Sequence, residues 1–392
     1  MARRGLRLAS LTANATSSHP GPAAGSATAR HPETRPLSGQ VLFVEPTFLS
    51  YRPDKVLRGV GVFAVVLARQ LAECGLDVTI AAERSWERKF REAFPGLGGP
   101  GAPNAVYAPS LRIKRPLINS LAVLPGLLGR RWDALLINNV GNGLIPMLRA
   151  LRAGRGVRTV LLANRAPKRA FLRFLRGTAT DVMAVNGGIA DAFRGVVAGR
   201  VTAEYGIADA DLYLPRSQPR DPAAPVNFVM LGKLDAPWKG ADMVRRAFGA
   251  MRPELRARSR LHLLGFAEPP GRGEEGVIEH PFLPYSQVPG FLREMDVFVG
   301  ASDEHETFCQ AMVQAMLTGI PSVVSGIRVF EEKVDAGGGV VFRSESELTA
   351  AMESLAGDPE RRARMGAAAR RTALERYVWD TRRFAEKWLL PA

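Results

Sequence analysis

Short apolar segments alternate with helix-length segments along the sequence, and this alternation constrains the fold more than any other feature. Such segments are typical of buried β-strands, and strands separated by helices pair in parallel. An amphipathic helix, VFAVVLARQLAECG, follows the first strand and ends at Gly75, as a helix with a glycine C-cap does. In the first half the predicted strands are QVLFVEPTFL, LDVTIAAE, RWDALLINN, RTVLLAN and TDVMAVN.

The alternation stops once and then starts again. The segment LPRSQPRDPAAP (214–225) carries four prolines and no periodicity, which is typical of a linker between domains. We therefore predict an α/β fold class with two doubly wound, Rossmann-like domains that face each other across a cleft. The predicted strands of the second half are VNFVML, RLHLLGF, GVIEHPFL, DVFVGAS, PSVVSG and GGVVF, with helices ADMVRRAFGAM, YSQVPGFLREM and TFCQAMVQAML between them.

Composition narrows the class of protein. Two cysteines, far apart in the chain, form no disulfide framework or metal-ligand spacing, so we expect a reducing, cytoplasmic location and no metal. Residues 1–38 are rich in Ser, Ala, Gly and Pro and predict a disordered tail. The net charge of +15 suits nucleic acid, an anionic membrane or a phosphorylated substrate. The basic residues are spread along the chain, arginine dominates and no nucleic-acid motif accompanies them, so we interpret the charge as a reflection of codon bias.

Ligands of doubly wound sheets bind at the carboxyl ends of the strands, so three loops matter most: 50–61, 232–240 and 301–308. In the third, Asp303, Glu304, His305 and Glu306 precede the apolar helix TFCQAMVQAML, whose polar residues fall along one line. Free backbone N–H groups at its first turn would bind an anion, and the Glu306 carboxylate would accept sugar hydroxyls. The alternative is that these acids only complement the helix dipole, worth about 0.3–1 kcal/mol each.

The second loop, GKLDAPWKG, places Lys233 and Lys239 just before a helix. Two cations beside a helix N-terminus suit a diphosphate, although lysines on loops are also common solvated residues. In the first loop Gly59 and Gly61 precede a helix and would let the backbone approach a ligand, but G-x-G-x-x-G is absent.

A third basic stretch, RAPKRAFLRFLRG (165–177), has alternating basic and apolar residues. It would lie on an anionic membrane, or it would pack its apolar side on the sheet as an ordinary helix.

Three segments resemble, in order, the donor-domain motifs of family 4 retaining glycosyltransferases with the GT-B fold. They are LGKLDAPWKG, VIEHPFLPYSQVPGFLREMDVFVGAS and HETFCQAMVQAMLTGIPSVVS, and the C-terminal helices and VGVFAVVLARQLAECGLDVTI match more loosely. The resemblance implies a first, acceptor-side domain at 39–213, a donor domain at 226–375 and a final helix at 376–392 that crosses back to the first domain.

The resemblance also implies roles for individual residues. Lys233 and Lys239 would hold the donor diphosphate, and Glu306 would contact the transferred sugar. The remaining predicted donor-site residues are Thr307, Phe308 and Cys309 through their amides, Phe282 and Leu283 at the base, Gly59 and Gly61 at the phosphates, and Gln314 at the ribose.

The sequence departs from the family at several positions. Gln314 replaces the second Glu of the family's Glu-x₇-Glu motif, which predicts an altered ribose contact. The family's histidine after a first-domain strand is missing, and the Asn-Gly of its interdomain hairpin is Tyr205-Gly206. The candidate acceptor-side residues are Glu45, Asp54, Asn138, Asn139, Asn164 and Arg165.

The resemblance implies that the protein transfers a hexose from a nucleotide sugar and retains the anomeric configuration. The expected nucleotide is UDP, and no metal or other cofactor is expected. Acidic groups such as Glu45, Asp54, Asp303 and Glu304 would suit a cationic acceptor, so we expect an aminocyclitol of the aminoglycoside-antibiotic type and glucosamine or kanosamine as the sugar. Two alternatives stay open. One is a peripheral membrane enzyme acting on lipid or polysaccharide, and the other is a non-catalytic nucleotide-sugar-binding partner protein.

Overall fold

The computed structural model describes residues 35–52, 60–94, 96–139, 141–153, 156–206, 210–218, 220–221 and 223–390. Gly59, Asp54 and nearly all of the predicted tail lie outside these residues. Residues Leu37–Ala392 form one compact unit that contains two parallel β-sheets. None of the helices in the described ranges is long and apolar enough to cross a bilayer.

The first sheet follows the order β3-β2-β1-β4-β5-β6-β7, and all of its strands pair in parallel. The reversal between β1 and β4 is the switch point of a doubly wound sheet, which confirms the predicted architecture of this half. Its strands are β1 Gln40–Val44, β2 Asp77–Glu83, β3 Asn104–Ala108, β4 Ala134–Asn138, β5 Arg158–Ala163, β6 Thr180–Ala184 and β7 Val201–Thr202.

Helices cover both faces of the first sheet. One apolar core contains the inner side of α1 and the residues around α2, and a second core lies under α3, α5 and α6. The helices are α1 Val60–Glu73, α2 Glu87–Ala93, α3 Pro116–Val123, α4 Pro125–Leu128, α5 Ile145–Arg152, α6 Arg169–Leu175 and α7 Gly187–Asp191.

The second sheet repeats the same winding in the order β10-β9-β8-β11-β12-β13, again all parallel. Its strands are β8 Val226–Leu231, β9 Ser259–Phe266, β10 Val277–Pro281, β11 Val297–Gly300, β12 Ser322–Ser325 and β13 Gly339–Phe342. Its helices are α8 Ala241–Gly249, α9 Pro253–Ala257, α10 Val288–Arg293, α11 Gln310–Leu317, α12 Arg328–Val334, α13 Glu345–Gly357 and α14 Pro359–Arg376.

The chain returns to the first domain after α14. Helix α15 (Thr381–Phe384) and a π-helical turn at Ala385–Leu389 pack against α1, β4 and β5. Trp379, Phe384 and Trp388 join the same apolar core as α1. This segment therefore ties the two domains together by its own side chains.

Three features differ from the sequence analysis. Strands β3 and β7 were not predicted: β3 is only partly buried and β7 is two residues long, so neither shows a clear apolar run. Helix α11 begins at Gln310 rather than Thr307, because Cys309 adopts a left-handed conformation with φ of 57°. The apolar side of α6 points inward, with Phe171 and Leu175 fully buried, which favours the ordinary-helix alternative for this stretch.

Candidate functional site

A cavity of about 400 Å³ lies between the two domains, at the carboxyl ends of both sheets. Val62 and Phe63 of α1 and Asn164 after β5 line it from the first domain. The second domain contributes the loops after β8, β10 and β11. The carboxyl ends of parallel strands meet at one edge of a sheet, which is why loops distant in sequence converge here.

The loop after β8 brings Lys239 to the cavity. A 3₁₀ turn at Pro237–Lys239 ends at Gly240, which has φ of 76° and starts α8. A Cβ at Gly240 would lie 2.4 Å from the carbonyl oxygen of Ala301, so only glycine lets this turn pack against the end of β11. Close packing of the two loops places the Lys239 ammonium beside Glu306.

Glu306 occupies a site built for an anion. Its Oε2 accepts a hydrogen bond from Nζ of Lys239 at 2.5 Å. Its Oε1 faces the backbone N–H groups of Thr307, Phe308 and Cys309 at 3.2, 3.5 and 3.0 Å. Only about a tenth of either charged side chain is exposed. The carboxylate is therefore held by one cation and a cradle of amides in front of α11.

The environment keeps both partners charged. Burial opposes ionisation of Glu306, but the charge and hydrogen bond of Lys239 and the amide donors outweigh it, so its pKa lies below the usual value. Burial likewise opposes the charge of Lys239, yet its anionic surroundings, including Glu306, raise the pKa of the ammonium. The pair is therefore a charged contact that is largely buried at the cavity.

One expectation about this site was wrong in detail. The amides of Thr307, Phe308 and Cys309 are not free in this structure, because Glu306 folds back onto them. Thr307 and Cys309 also precede α11 rather than form its first turn. The amides still converge on one anion, and that anion is a side chain of the protein itself.

Lys233 lies on the same loop as Lys239 but in a different environment. Its side chain is exposed at the edge of the cavity. Among the described residues it forms no ion pair, so its charge is available to a ligand. Gly232, beside it, has φ of 153°. A Cβ added at Gly232 would lie 3.6 Å from Nζ of Lys239.

The far end of the cavity is apolar. Leu231, Leu264 and Val288 line it together with the two residues predicted to meet a base, Phe282 and Leu283. The strand ends come unusually close here, since a Cβ at Gly265 would overlap the carbonyl oxygen of Gly232 at 1.7 Å. A flat apolar ring would be enclosed at this end.

Gln314 lies on the inner face of α11 and lines the cavity, with 5% of its surface exposed. Its Nε2 donates to the hydroxyl of Tyr285 at 3.3 Å. Tyr285 follows β10 in a 3₁₀ turn and was not predicted as a site residue. An aromatic residue directly after a strand of the donor domain was the only signal for it.

On the first-domain side, Glu45 and Asn138 are fully buried and bonded to each other at 2.9 Å. Asn138 also donates to the carbonyl of Val60, at the start of α1, at 3.4 Å. Neither is among the residues that line the cavity, and their contact with an acceptor stays a prediction. Their hydrogen bonds fix α1 on the ends of β1 and β4.

The other acceptor-side candidates divide. Asn164 lines the cavity, and its Nδ2 is buried without a hydrogen-bond partner among the described residues. Asn139 is half-buried with φ of 76° and Arg165 is exposed, and neither is among the cavity-lining residues. Gly61, predicted at the donor phosphates, lies in the first turn of α1 and is not among those residues either. Asn164 is therefore the acceptor-side candidate that lies at the cavity.

Aromatic rings close the cavity on its inner side. Tyr205 of the first domain lies edge-to-face on Phe308 at 5.1 Å, and also contacts Phe63 and Trp379 at 5.0 and 5.8 Å. Burial and the nearby Glu45 raise the pKa of the Tyr205 hydroxyl. These neutral rings exclude water from the region around the amide cradle.

The Cys309 thiol is buried at the cavity. Burial, and then the charge of Glu306, raise the pKa of the Cys309 thiol to about 12, so it stays protonated and is a poor nucleophile.

Within the described ranges no three His, Cys, Asp or Glu side chains cluster as metal ligands do. Metal-independence stays a prediction.

Residues 225–358 match the protein-family model described as glycosyl transferases group 1. This range contains Lys233, Lys239, Glu306 and Gln314. No curated protein matches the sequence significantly.

Solved structures similar to the whole chain share its fold. Sucrose-phosphate synthase from Thermosynechococcus elongatus is 14% identical, with a TM-score of 0.66 over 89% of this chain and 97% of that one. HepE from Anabaena, in complex with UDP and glucose, is 16% identical, with a TM-score of 0.64 over 89% and 99%. WaaG, a glycosyltransferase of lipopolysaccharide biosynthesis, is 14% identical, with a TM-score of 0.62 over 90% and 100%. The chain thus has the GT-B fold expected from its sequence, and its second domain matches the group 1 glycosyl transferases over residues 225–358.

Proposed function

We propose that this protein is a retaining glycosyltransferase that moves a hexose from a UDP-sugar to a hydroxyl group of an acceptor. The observation that carries the proposal is the anion site in front of α11. Lys239 and three backbone amides converge on one carboxylate there, at the edge of a cleft between two domains. A diphosphate would take the same donors when Glu306 turns away, with Lys233 supplying a second cation.

The rest of the cavity suits the remaining parts of a nucleotide sugar. The apolar end formed by Leu264, Leu283 and Val288 would enclose the base, and Gln314 with Tyr285 would meet the ribose. Glu306 and Asn164 also line the cavity and would meet the sugar hydroxyls. HepE, which has the same fold, was solved with UDP and with UDP-glucose, and this supports UDP as the nucleotide to test first.

Retention of the anomeric configuration is supported by the lack of a free general base among the described residues that line the cavity. Inversion needs a carboxylate or imidazole on the face opposite the leaving group. Among the described residues that line the cavity, Glu306 is the only carboxylate, and it is held by Lys239 and the amides. We therefore propose that the acceptor hydroxyl attacks on the face from which UDP leaves and gives its proton to the departing phosphate. The protein would stabilise the anionic leaving group and exclude water.

The acceptor stays open in its detail. We propose an aminocyclitol as the first class to test, on the sequence resemblance alone. The structural support expected for a cationic acceptor is weaker, because Glu45 is buried against Asn138. Asp303 and Glu304 are exposed outside the cavity lining, and Asp303 bonds His305. Neutral sugars and glycolipids therefore belong in the same acceptor panel.

The test begins with nucleotide binding. A hundredfold excess of UDP over its Kd should stabilise the fold by about 2.7 kcal/mol in a thermal-shift assay, and GDP should do less. UDP-glucose and UDP-N-acetylglucosamine should then be hydrolysed slowly and transferred to an acceptor, with the α-anomer retained by NMR and no loss of activity with a chelator.

Lys239→Ala should lower kcat/KM at least about a hundredfold, as expected for loss of a charge that stabilises the leaving group. Lys387→Ala, which removes a lysine paired with Glu204 away from the cavity, is the matched control. Binding of UDP without any turnover would favour the non-catalytic partner protein. Failure to bind any nucleotide would end the proposal.

A further inference from the structure

The net charge is concentrated in one part of the first domain. Residues 93–180 contain fourteen lysines and arginines and a single acidic residue, Asp133, a net +13 of the chain's +15. The basic residues are spread along the chain as expected, whereas the acidic residues are not. Arginine is frequent in both parts of the chain, and the contrast comes from the acids: residues 181–392, with 26 basic and 29 acidic residues, have a net charge of −3.

The structure places most of this charge on one helical layer. Helix α3 packs on α5, and Arg149 and Arg152 of α5 lie over the ring of Phe174 in α6 at 5.8 and 5.9 Å. The three helices share one apolar core under the first sheet. We call the outer side of α3, α5, α6 and the preceding segment 111–115 the basic face.

The cations of the basic face are not neutralised by the protein. Its exposed lysines and arginines form no ion pair with any carboxylate in the described ranges. They are Arg112, Lys114, Arg115, Arg149, Arg169, Arg173 and Arg176, and the exposed Arg131 and Lys168 beside this face form no ion pair either. Elsewhere in the described chain most exposed arginines do have a carboxylate partner, such as Arg246 with Glu345. The unpaired charge points to an anionic partner.

Helix α3 has its polarity reversed. Leu117, Ile118 and Leu121 face outward with 42%, 37% and 47% of their surfaces exposed. Asn119 and Ser120 face inward, fully buried. Asn119 donates to the carbonyls of Leu49 and Ile113, and Ser120 to those of Leu117 and Gly143. Both inward side chains therefore donate to backbone carbonyls, while Oδ1 of Asn119 is buried without a hydrogen-bond partner among the described residues.

These residues belong to a larger apolar patch. Leu111 and Leu128 are also exposed, at 48% and 37%, so the segment 111–128 holds five of the ten most exposed large aliphatic side chains in the described ranges. Single exposed leucines are common on proteins, whereas a cluster bordered by unpaired cations indicates an interaction surface.

We propose that the basic face docks on the surface of an anionic lipid bilayer. The leucines of α3 would enter the boundary between headgroups and acyl chains, and the surrounding lysines and arginines would meet lipid phosphates. A nucleic acid would use the cations but gain little from exposed aliphatic side chains, since it stacks on aromatic rings. The docking elements lie outside the cavity, so membrane binding does not depend on the proposed transfer reaction.

The experiment is co-sedimentation of the full-length protein with vesicles. The wild type should bind vesicles of roughly equal parts phosphatidylglycerol and phosphatidylcholine, should not bind phosphatidylcholine alone, and should be released by salt. Lys114→Gln with Arg115→Gln should weaken binding about fivefold per residue, as expected for cations near an anionic surface. Leu117→Ser with Leu121→Ser should weaken it at least tenfold.

Matched controls come from the second domain. Two variants should bind vesicles like the wild type. One is Leu374→Ser, at a leucine that is 47% exposed, and the other is Arg364→Gln with Arg371→Gln, at two exposed arginines. The midpoint of thermal unfolding should be unchanged in the α3 variants, which shows that they are folded. A wild type that stays in the supernatant with both vesicles would overturn the proposal. The proposal would also be overturned if the Leu117→Ser, Leu121→Ser variant bound vesicles like the wild type and still bound heparin or DNA.

Discussion

At the scale of single residues, Glu306 determines the state of the site. Its carboxylate accepts from Lys239 and from the amides before α11, which are the donors that a phosphate would need. A bound diphosphate must displace it or share Lys239 with it. The sequence could show that an acid, a lysine and a helix start occur near strand ends. It could not show the carboxylate folding back on its own backbone, because that depends on a lysine 67 residues away.

Glu306→Gln tests this competition. A neutral amide repels a phosphate less than a carboxylate does, so we expect UDP to bind at least as tightly as to the wild type. Transfer should fall about a hundredfold, because the charged contact with the sugar is lost. Calorimetry with UDP and a turnover assay separate the two effects. Parallel losses of UDP affinity and turnover would contradict the role given to Glu306.

Gln314 is tested by the acid that the family pattern has at this position. Gln314→Glu keeps an acceptor for the hydroxyl of Tyr285 and for a ribose hydroxyl, so we expect UDP affinity within about threefold of the wild type, or tighter. Gln314→Leu removes the hydrogen bond and should weaken UDP about tenfold, in line with about 1–1.5 kcal/mol for one buried contact. Equal affinities in the Leu variant and the wild type would show that the position does not meet the ligand.

At the scale of helices and strands, the sequence predicted what depends on local pattern. The strands β8 and β9 were predicted almost to the residue, since buried parallel strands are continuous apolar runs. Strand β3 was missed because its residues are only half-buried. The outward leucines of α3 were also missed, since a helix with buried Asn119 looks like any other amphipathic helix until its neighbours are known.

A pair of histidines on neighbouring strands gives a pH dependence. The rings of His262 on β9 and His280 on β10 stack at 5.3 Å beside Phe291. Burial, and then the charges of His280, Arg220 and Arg260, lower the pKa of His262 to about 4. In the unfolded chain a histidine has a pKa near 6.5. Above that pH His262 is neutral in both states and does not change the free energy of unfolding. As pH falls from about 6.5 to about 4, the unfolded chain binds a proton that the folded chain does not, so the fold is progressively destabilised.

We expect His262→Gln to reduce the loss of stability between pH 7 and pH 5. The difference from the wild type should be about 1 kcal/mol in the free energy of unfolding, after allowance for the solvent that reaches the ring. Denaturant titrations at the two pH values measure it. His305→Gln, at an exposed histidine outside the second sheet, is the control and should keep the wild-type dependence. An unchanged dependence in His262→Gln would show that other groups titrate.

At the scale of the whole molecule, a few contacts hold the domains in register around the cavity. Tyr205 of the first domain packs on Phe308 of the second, and Trp379 packs on Phe63 as the chain returns. Only one hydrogen bond reaches the amide cradle from the first domain: Nδ2 of Asn186 donates to the carbonyl of Thr307 at 2.8 Å, among the bonds of the described residues. Such long-range contacts leave no pattern in the sequence.

Asn186 allows the interdomain bond to be removed without loss of the local fold. Its Oδ1 caps α7 by accepting from the N–H of Ile189 at 2.9 Å, while its Nδ2 makes the bond to Thr307. Asn186→Asp and Asn186→Ser both keep a good N-cap, and neither can donate to the Thr307 carbonyl in the same way, since Asp has no N–H and Ser is too short. The cap is therefore kept, and stability should fall only by the about 0.5–1.5 kcal/mol of the lost interdomain hydrogen bond.

If closure of the domains orients the cradle, both variants should lower kcat for transfer about tenfold, while the Kd of UDP changes little because the nucleotide contacts belong to the second domain. Asn186→Ala, which also loses the cap, should add about 1 kcal/mol of destabilisation without a further loss of kcat. Wild-type turnover in the Asp and Ser variants would show that Asn186 is only a helix cap. A parallel loss of UDP affinity would instead place its effect on the cradle itself, with the domains already held together by Tyr205, Phe308 and the returning C-terminal segment.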